Sequence, residues 1–334
     1  MRENSAEKTD KISAVQADVK EGETCKKKTK RERIRRFLKN FREYQLYLML
    51  LPGLVYLVLF EYLPIFGISM AFQKFNPVQG FFGSEWVGLY QFERFVQSPL
   101  FWRLIKNTLS ISLFQLAVFP VPIIFALVLN EMRSRVAKRT AQTIMYASHF
   151  ISVVVLVGIM FTFFSPINGV INNIRAIFGA EPIDYMQNKN YFVPMFVLSG
   201  LWQNCGWNSI IYVGALANVD PCLHEAAMID GAGRLRRIWS INLPAVIPTA
   251  VILFIMAVGN VMSVGFDKAF LMQTPGNLEV SNIISTYVYE VSLRSGLGDY
   301  SFGTAISLFN AVINLILLFG ANFISKKLGQ ESLW

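Results

Sequence analysis

Six times along the chain, apolar side chains run together for roughly twenty residues or more: at 44–72, 108–129, 143–164, 192–219, 245–266 and 302–324. Each run is long enough to cross a hydrocarbon core about 30 Å thick, which takes roughly 20 helical residues. Backbone polar groups in lipid have to be satisfied within the segment, and the two-residue alternation of a membrane barrel is absent, so these runs predict helices. The predicted fold class is an all-α membrane protein with six transmembrane helices. Pro52 and Pro64 fall in the first run, with Glu61 before the second proline. They predict a kink or break at the outer end of that span.

The polar intervals are informative too. Residues 1–43 lack a core-forming pattern before Phe37 and read as a basic tail, disordered to about residue 30. From 31 to 43, Ile34, Phe37, Leu38 and Phe41 recur at helical spacing beside Arg35, Arg36, Lys39 and Arg42, which predicts an amphipathic helix along the inner surface. Residues 44–334 then form the transmembrane domain. The outer interval 73–106 is rich in aromatics, among them Phe75, Phe82, Trp86, Tyr90, Phe95 and Trp102. Such rings suit a membrane interface, so the interval reads as an interfacial helix against the bundle, with a sugar-stacking surface as the alternative.

Charge orients the spans. The segments 1–43, 131–141, 220–243 and the C-terminal end carry 14, 4, 3 and 2 Lys and Arg, against 4, 2 and 2 in the three outer loops. This bias predicts that both termini are cytoplasmic, as six crossings require. Lys26, Lys27, Lys28 and Lys30 need no nucleic acid to explain them, because topology setting and anionic inner-leaflet lipid account for such a run. With 53% hydrophobic residues, 16% charged residues and 28 Phe, the chain lies outside the range of soluble domains. Cys25, Cys205 and Cys222 imply neither a disulfide nor a metal site.

Between the fourth and fifth spans, residues 220–243 form a polar loop with an ordered pattern. Asp220-Pro221 begins a helix, since Asp caps exposed N–H groups and Pro is tolerated at the first position. Glu225 follows in its early turns, and Ala226 and Ala227 keep one flank small. Asp230-Gly231 ends the helix, with glycine free to take the left-handed conformation. A second short helix carries Arg234, Arg236 and Arg237 before Leu243-Pro244 opens the fifth span. From spacing alone, a solvated connecting loop and a force-transmitting element remain equally open.

Polar groups inside spans are costly unless they face a cavity or a partner helix. In the fourth span Asn204, Asn208 and Tyr212 are four apart and share a face, with Trp207 beside them. The fifth offers Asn260, Ser263 and Asp267, and the sixth Asn310 and Asn314. Amides, a carboxylate and an aromatic plate suit a sugar, whereas the competing reading is hydrogen bonding between helices. His149 and His224 read as packing or interface residues. The chain has no Gly-Lys dipeptide, so the phosphate-cradling loop is missing, and no nucleophile, base and orienter set stands out. It reads as a non-enzyme that binds no metal or cofactor itself.

Glu225-Ala226-Ala227, Asp230-Gly231-Ala232, Ile241 and Leu243-Pro244 resemble the EAA signature of permease subunits in binding-protein-dependent ATP-binding-cassette importers. The resemblance runs from about residue 44 to 334 and includes Lys74-Phe75-Asn76-Pro77, Asn107-Thr108, Gly206-Trp207-Asn208-Ser209 and Ser332-Leu333-Trp334, which look like the oligosaccharide branch. It implies the type I permease fold in a bacterial cytoplasmic membrane, with the 220–243 loop docking on an ATPase. In that role Glu225 would pair with a cation, Ala226 and Ala227 would make the close contact, and Asp230, Gly231 and Ala232 would make the turn. The partners it implies are a second homologous permease, two ATPase subunits that bind ATP and Mg, and an extracellular solute-binding lipoprotein that delivers an oligosaccharide. The rival readings are the same architecture carrying a monosaccharide or glycerol phosphate, and an ion-coupled secondary transporter. The latter would need paired ionisable residues within the spans, and beyond Glu61 and Asp267 the spans offer little.

Overall fold

The computed structural model describes residues 44–294 and 298–334. The tail 1–43, with its expected amphipathic helix, lies outside the described residues. Contacts divide the chain into residues 1–67 and 68–334. In the first unit, helix α1 (Tyr44–Leu57) loosens into a π turn over Val58–Tyr62 and then tightens into a 3-10 segment that begins at Leu63–Pro64 and runs to Phe72. At Pro64 the helix changes type instead of breaking, and the stretch stays helical from Tyr47 to Phe72; proline cannot donate to the preceding turn, and its ring crowds the carbonyl four residues back.

The second unit begins with a short antiparallel pair, β1 (Gln73–Lys74) and β2 (Glu85–Trp86), which encloses α2 (Gly80–Gly83). Next come α3 (Tyr90–Val96), α4 (Phe101–Ala117) and α5 (Val121–Glu131), the last two forming the second span across a turn that contains Pro120. Within the aromatic interval, Phe95 is fully buried and meets Phe101, Phe302 and Phe309 edge-on, with ring centres 5.0, 6.3 and 5.5 Å away. Phe82, Trp86 and Trp102 stay exposed.

The third span departs from expectation. Instead of one helix over 143–164, α6 (Arg135–Ala147) passes through a 3-10 turn (Ser148–Phe150) and meets α7 (Val153–Phe163) at a bend of 101°. Ser152 starts a new helix by accepting a hydrogen bond from the Val155 N–H at 3.3 Å. The Ile151 carbonyl, left out of both helices, accepts from Gln203 Nε2 at 2.6 Å.

After α8 (Val170–Ile177), α9 (Lys189–Ala217) runs for 29 residues, about 44 Å at the usual helical rise. Then come α10 (Pro221–Ile229), α11 (Arg234–Arg237), a π turn (Ile238–Asn242) and α12 (Leu243–Gly259). The outer segment holds α13 (Phe266–Met272), α14 (Leu278–Ser281) and α15 (Ile284–Tyr289), and α16 (Tyr300–Lys327) closes the order. Among the described residues, four helical stretches are long and apolar enough to cross a membrane: Tyr47–Phe72, Phe101–Glu131, Arg234–Gly259 and Tyr300–Lys327. The bent α6–α7 pair makes a fifth. Helix α9 has the length, but Gln203, Asn204 and Asn208 dilute its apolar surface. The fifth span is helical only to Gly259, short of the expected end at 266, and begins further in than expected.

The core is three clusters. One gathers Ile111, Leu156, Met160, Phe192, Phe196 and Met272 from α4, α7, α9 and α13. A second joins Phe95, Leu104, Met262 and Phe302, and a third joins Leu127, Tyr212, Leu216 and Val246. Buried amides fasten the outer loops to this core. Asn107 Nδ2 donates to the carbonyls of Glu279 and Asn282, both at 2.8 Å. Asn277 Nδ2 donates to Met186 at 2.8 Å and Met272 at 2.9 Å.

Candidate functional site

A polar cleft of about 480 Å³ opens where the α4–α5 turn, α9 and α12 meet. Its floor is the stripe Gly200, Asn204, Asn208 and Tyr212, successive turns of α9 on one face. Gln115 of α4 and Asn260 at the end of α12 face them across it. The volume is that of a small-molecule site. Asn204 is held on two sides: its Nδ2 donates to the Gly200 carbonyl at 3.1 Å, and its Oδ1 accepts from His149 Nδ1 at 2.9 Å. His149 in turn stacks on Trp207, with ring centres 4.4 Å apart and planes 6° from parallel. Asn260 donates to the Met256 carbonyl at 2.9 Å. Asn208 is exposed and makes no hydrogen bond among the described residues, so both ends of its amide are available to a solute.

Of the pathway candidates, Asn204, Asn208, Tyr212 and Asn260 therefore come together, and Trp207, Ser263 and Asp267 do not line the cleft. Trp207 is about half exposed on the neighbouring face of α9. Ser263 accepts from Asn314 Nδ2 at 2.8 Å, while Asn314 Oδ1 accepts from the Met262 N–H at 2.9 Å, a tie between α16 and the end of the fifth span. Asp267 is exposed in the first turn of α13.

Sequence reasoning missed Gln115, although a lone amide in an apolar run was signal enough to find it. It also missed Lys268, counted only as an outer-loop charge. Lys268 is 8% exposed, and its Nζ donates to the Phe196 carbonyl at 2.7 Å and lies 4.8 Å from the centre of the Phe196 ring. Burial lowers the pKa of Lys268 to about 8.

The 220–243 loop is built from local rules. Asp220 caps α10 by accepting from the Cys222 N–H at 2.9 Å, and that bond holds its carboxyl below the ordinary range. At the other end Gly231 has φ 76°, the Gly231 N–H donates to the Met228 carbonyl at 3.1 Å, and the Ala232 N–H donates to the Ala227 carbonyl at 2.8 Å. This is a Schellman stop, and it explains Asp230, Gly231 and Ala232 as one unit. Glu225 and Ala226 are exposed, Ala227 is partly covered, and Glu225 forms no ion pair among the described residues. Below the loop, buried Asn242 donates through Nδ2 to Glu131 Oε1 at 3.1 Å, tying the end of α5 to the start of the fifth span.

A solute-sized cleft lined by amide residues within otherwise apolar spans is what a membrane permease requires. Residues 119–330 match the Binding-protein-dependent transport system inner membrane component family, and the chain belongs to it, as a multi-pass permease subunit of the cytoplasmic membrane. It is 43% identical to the polygalacturonan/rhamnogalacturonan transport system permease protein YteP of Bacillus subtilis, over 92% of this chain and 95% of that one. It is 44% identical to protein LplB of the same organism, over 88% and 92%. Among solved structures it is similar to a bacterial alginate ABC transporter in complex with an alginate pentasaccharide-bound periplasmic protein. That match has a TM-score of 0.79 and 35% identity, and it covers 87% of this chain and 97% of the other.

Proposed function

We propose that this chain is the membrane-spanning subunit of an ATP-driven importer and forms the pathway for an oligosaccharide handed over by an extracellular binding protein. The observation that carries the reading is α10. None of its nine residues is buried, and Leu223, Met228 and Ile229 are more than half exposed. Apolar side chains presented together on a short helix outside the spans call for a covering surface. An ATPase subunit supplies one: Glu225 pairs with a cation on it, Ala226 and Ala227 let it approach, and the stop at Asp230, Gly231 and Ala232 fixes the helix length. ATP and Mg bind on two such subunits, and a second homologous permease completes the assembly. Closure of the ATPase pair brings the docked loops together and switches the bundle between inward and outward openings.

The relatives, a polygalacturonan/rhamnogalacturonan permease and an alginate transporter, support a sugar fragment as the solute. So does the cleft, where Asn204, Asn208, Tyr212 and Asn260 offer amide and phenol groups to hydroxyls. Trp207, Ser263 and Asp267 are kept as pathway residues met elsewhere along the route.

Co-purification tests the assembly. A detergent-solubilised complex retains its nucleotide-binding subunit, and Glu225→Ala or Gly231→Pro weakens that retention. Transport of an oligosaccharide by the isolated chain in liposomes without ATP would refute the reading.

A further inference from the structure

Among the described residues, Lys268 is the only charged side chain that is buried. It forms no ion pair there, and its one hydrogen-bond partner is the neutral Phe196 carbonyl. A fastening between α13 and α9 does not need a charge: Gln203 makes the same kind of bond to the Ile151 carbonyl with a neutral amide. The Phe196 ring and carbonyl offset only part of the cost of burying an ammonium without a counter-charge, which is far greater than that of an amide. The charge itself is therefore what a packing role leaves unexplained.

Its position supplies a use. A Cβ on Gly200 would stand 3.1 Å from the Lys268 ammonium. Gly200 belongs to the cleft wall, one helical turn from Asn204. The ammonium thus stands close to where a side chain at Gly200 would reach, at one end of the amide stripe. No carboxylate among the described residues pairs with it, so its field is not cancelled by a counter-charge before it reaches the cleft. The flexible four-carbon stem also lets the head group lean past a residue that has no side chain.

We propose that Lys268 selects charge in the cleft, attracting the carboxylate of an acidic, uronate-type oligosaccharide in preference to a neutral one. The proposal rests on the reading of the cleft as an oligosaccharide pathway.

The test uses the complete transporter, reconstituted with its ATPase subunits and binding protein, and compares uptake of trigalacturonate with uptake of its methyl ester. Thermal stabilisation of the binding protein first fixes saturating concentrations of each probe. Lys268→Gln keeps a hydrogen-bond donor and removes the charge; it is expected to lower trigalacturonate uptake about tenfold and leave the ester little changed. Lys268→Arg is expected to keep most of the acidic uptake. Lys268→Met, which keeps a stem of similar length and removes the charge, is expected to show the same selective loss. It decides the matter if Lys268→Gln fails to assemble. Equal loss on both probes, or loss on neither, overturns charge selection and leaves the oligosaccharide pathway standing. A wild-type transporter that moves neither probe overturns both.

Discussion

Asn208 and Asn277 are the same residue type with opposite uses, and their surroundings decide which. Asn277 is 1% exposed, gives both N–H bonds to carbonyls of separate segments, and accepts from the Thr274 N–H at 3.0 Å. Asn277→Ala orphans those groups, and a loss of roughly 2 kcal/mol is expected, read as a lower unfolding midpoint of the solubilised chain. Transport geometry in the cleft should suffer only through that loss. In the sequence, Asn277 is visible as part of a Pro275-Gly276-Asn277 turn, and nothing there announces its side-chain bonds. Likewise Asn260 and Ser263 looked equivalent, because helical spacing places residues on a face without saying which partner occupies it. Asn314 happens to reach Ser263 and not Asn260. Residue type marks where polarity is spent within a span, and only the fold shows on what.

Elements were more legible where their signals are local. The start of α10 at Asp220-Pro221 and its stop at Gly231 follow from capping rules that act within a single turn, and both are found as expected. Asp220→Ala should loosen the first turn of α10 by about 1 kcal/mol. Amide exchange at Leu223 and His224 would then speed up roughly fivefold. The break in the third span is different in kind. Ser152 is one small polar residue in an apolar run, and such residues sit comfortably within membrane helices. What turns it into a cap is Gln203, 51 positions further on, meeting the carbonyl that the break exposes. That signal is tertiary, so no local pattern could carry it.

For the whole molecule, the excess of Lys and Arg in alternate loops gave an orientation that the helices alone do not fix. The chain supplies its own probe: Cys222 is exposed on α10, whereas Cys205 is buried in α9. With Cys25 replaced by Ser, a membrane-impermeant maleimide should label Cys222 in inverted vesicles and leave right-side-out vesicles unlabelled. Labelling in the opposite sense would place α10 outside and remove the ATPase as its partner. Six crossings were expected from the length that about 30 Å of hydrocarbon sets, whereas among the described residues four helical stretches and one bent pair meet it, since the third run breaks and amides dilute α9. The cleft was not, because it is assembled from three stretches far apart in the chain.

The right-angled third span limits how this bundle can move. Two helices set 101° apart share no axis, so a push along α6 drives α7 sideways instead of lengthwise. Slippage between α6 and α9 is blocked as well. Gly206 has the Met145 backbone so close that not even a Cβ would fit, and Ser148 Oγ sits among the carbonyls of Met145, Gln203 and Trp202 at 2.8, 3.1 and 3.2 Å, with one proton to share among them. A piston stroke is therefore closed to this part of the chain. Contacts at Gly206, Ser148 and Gln203 fasten the bent span to α9, so displacement of one is passed directly to the other.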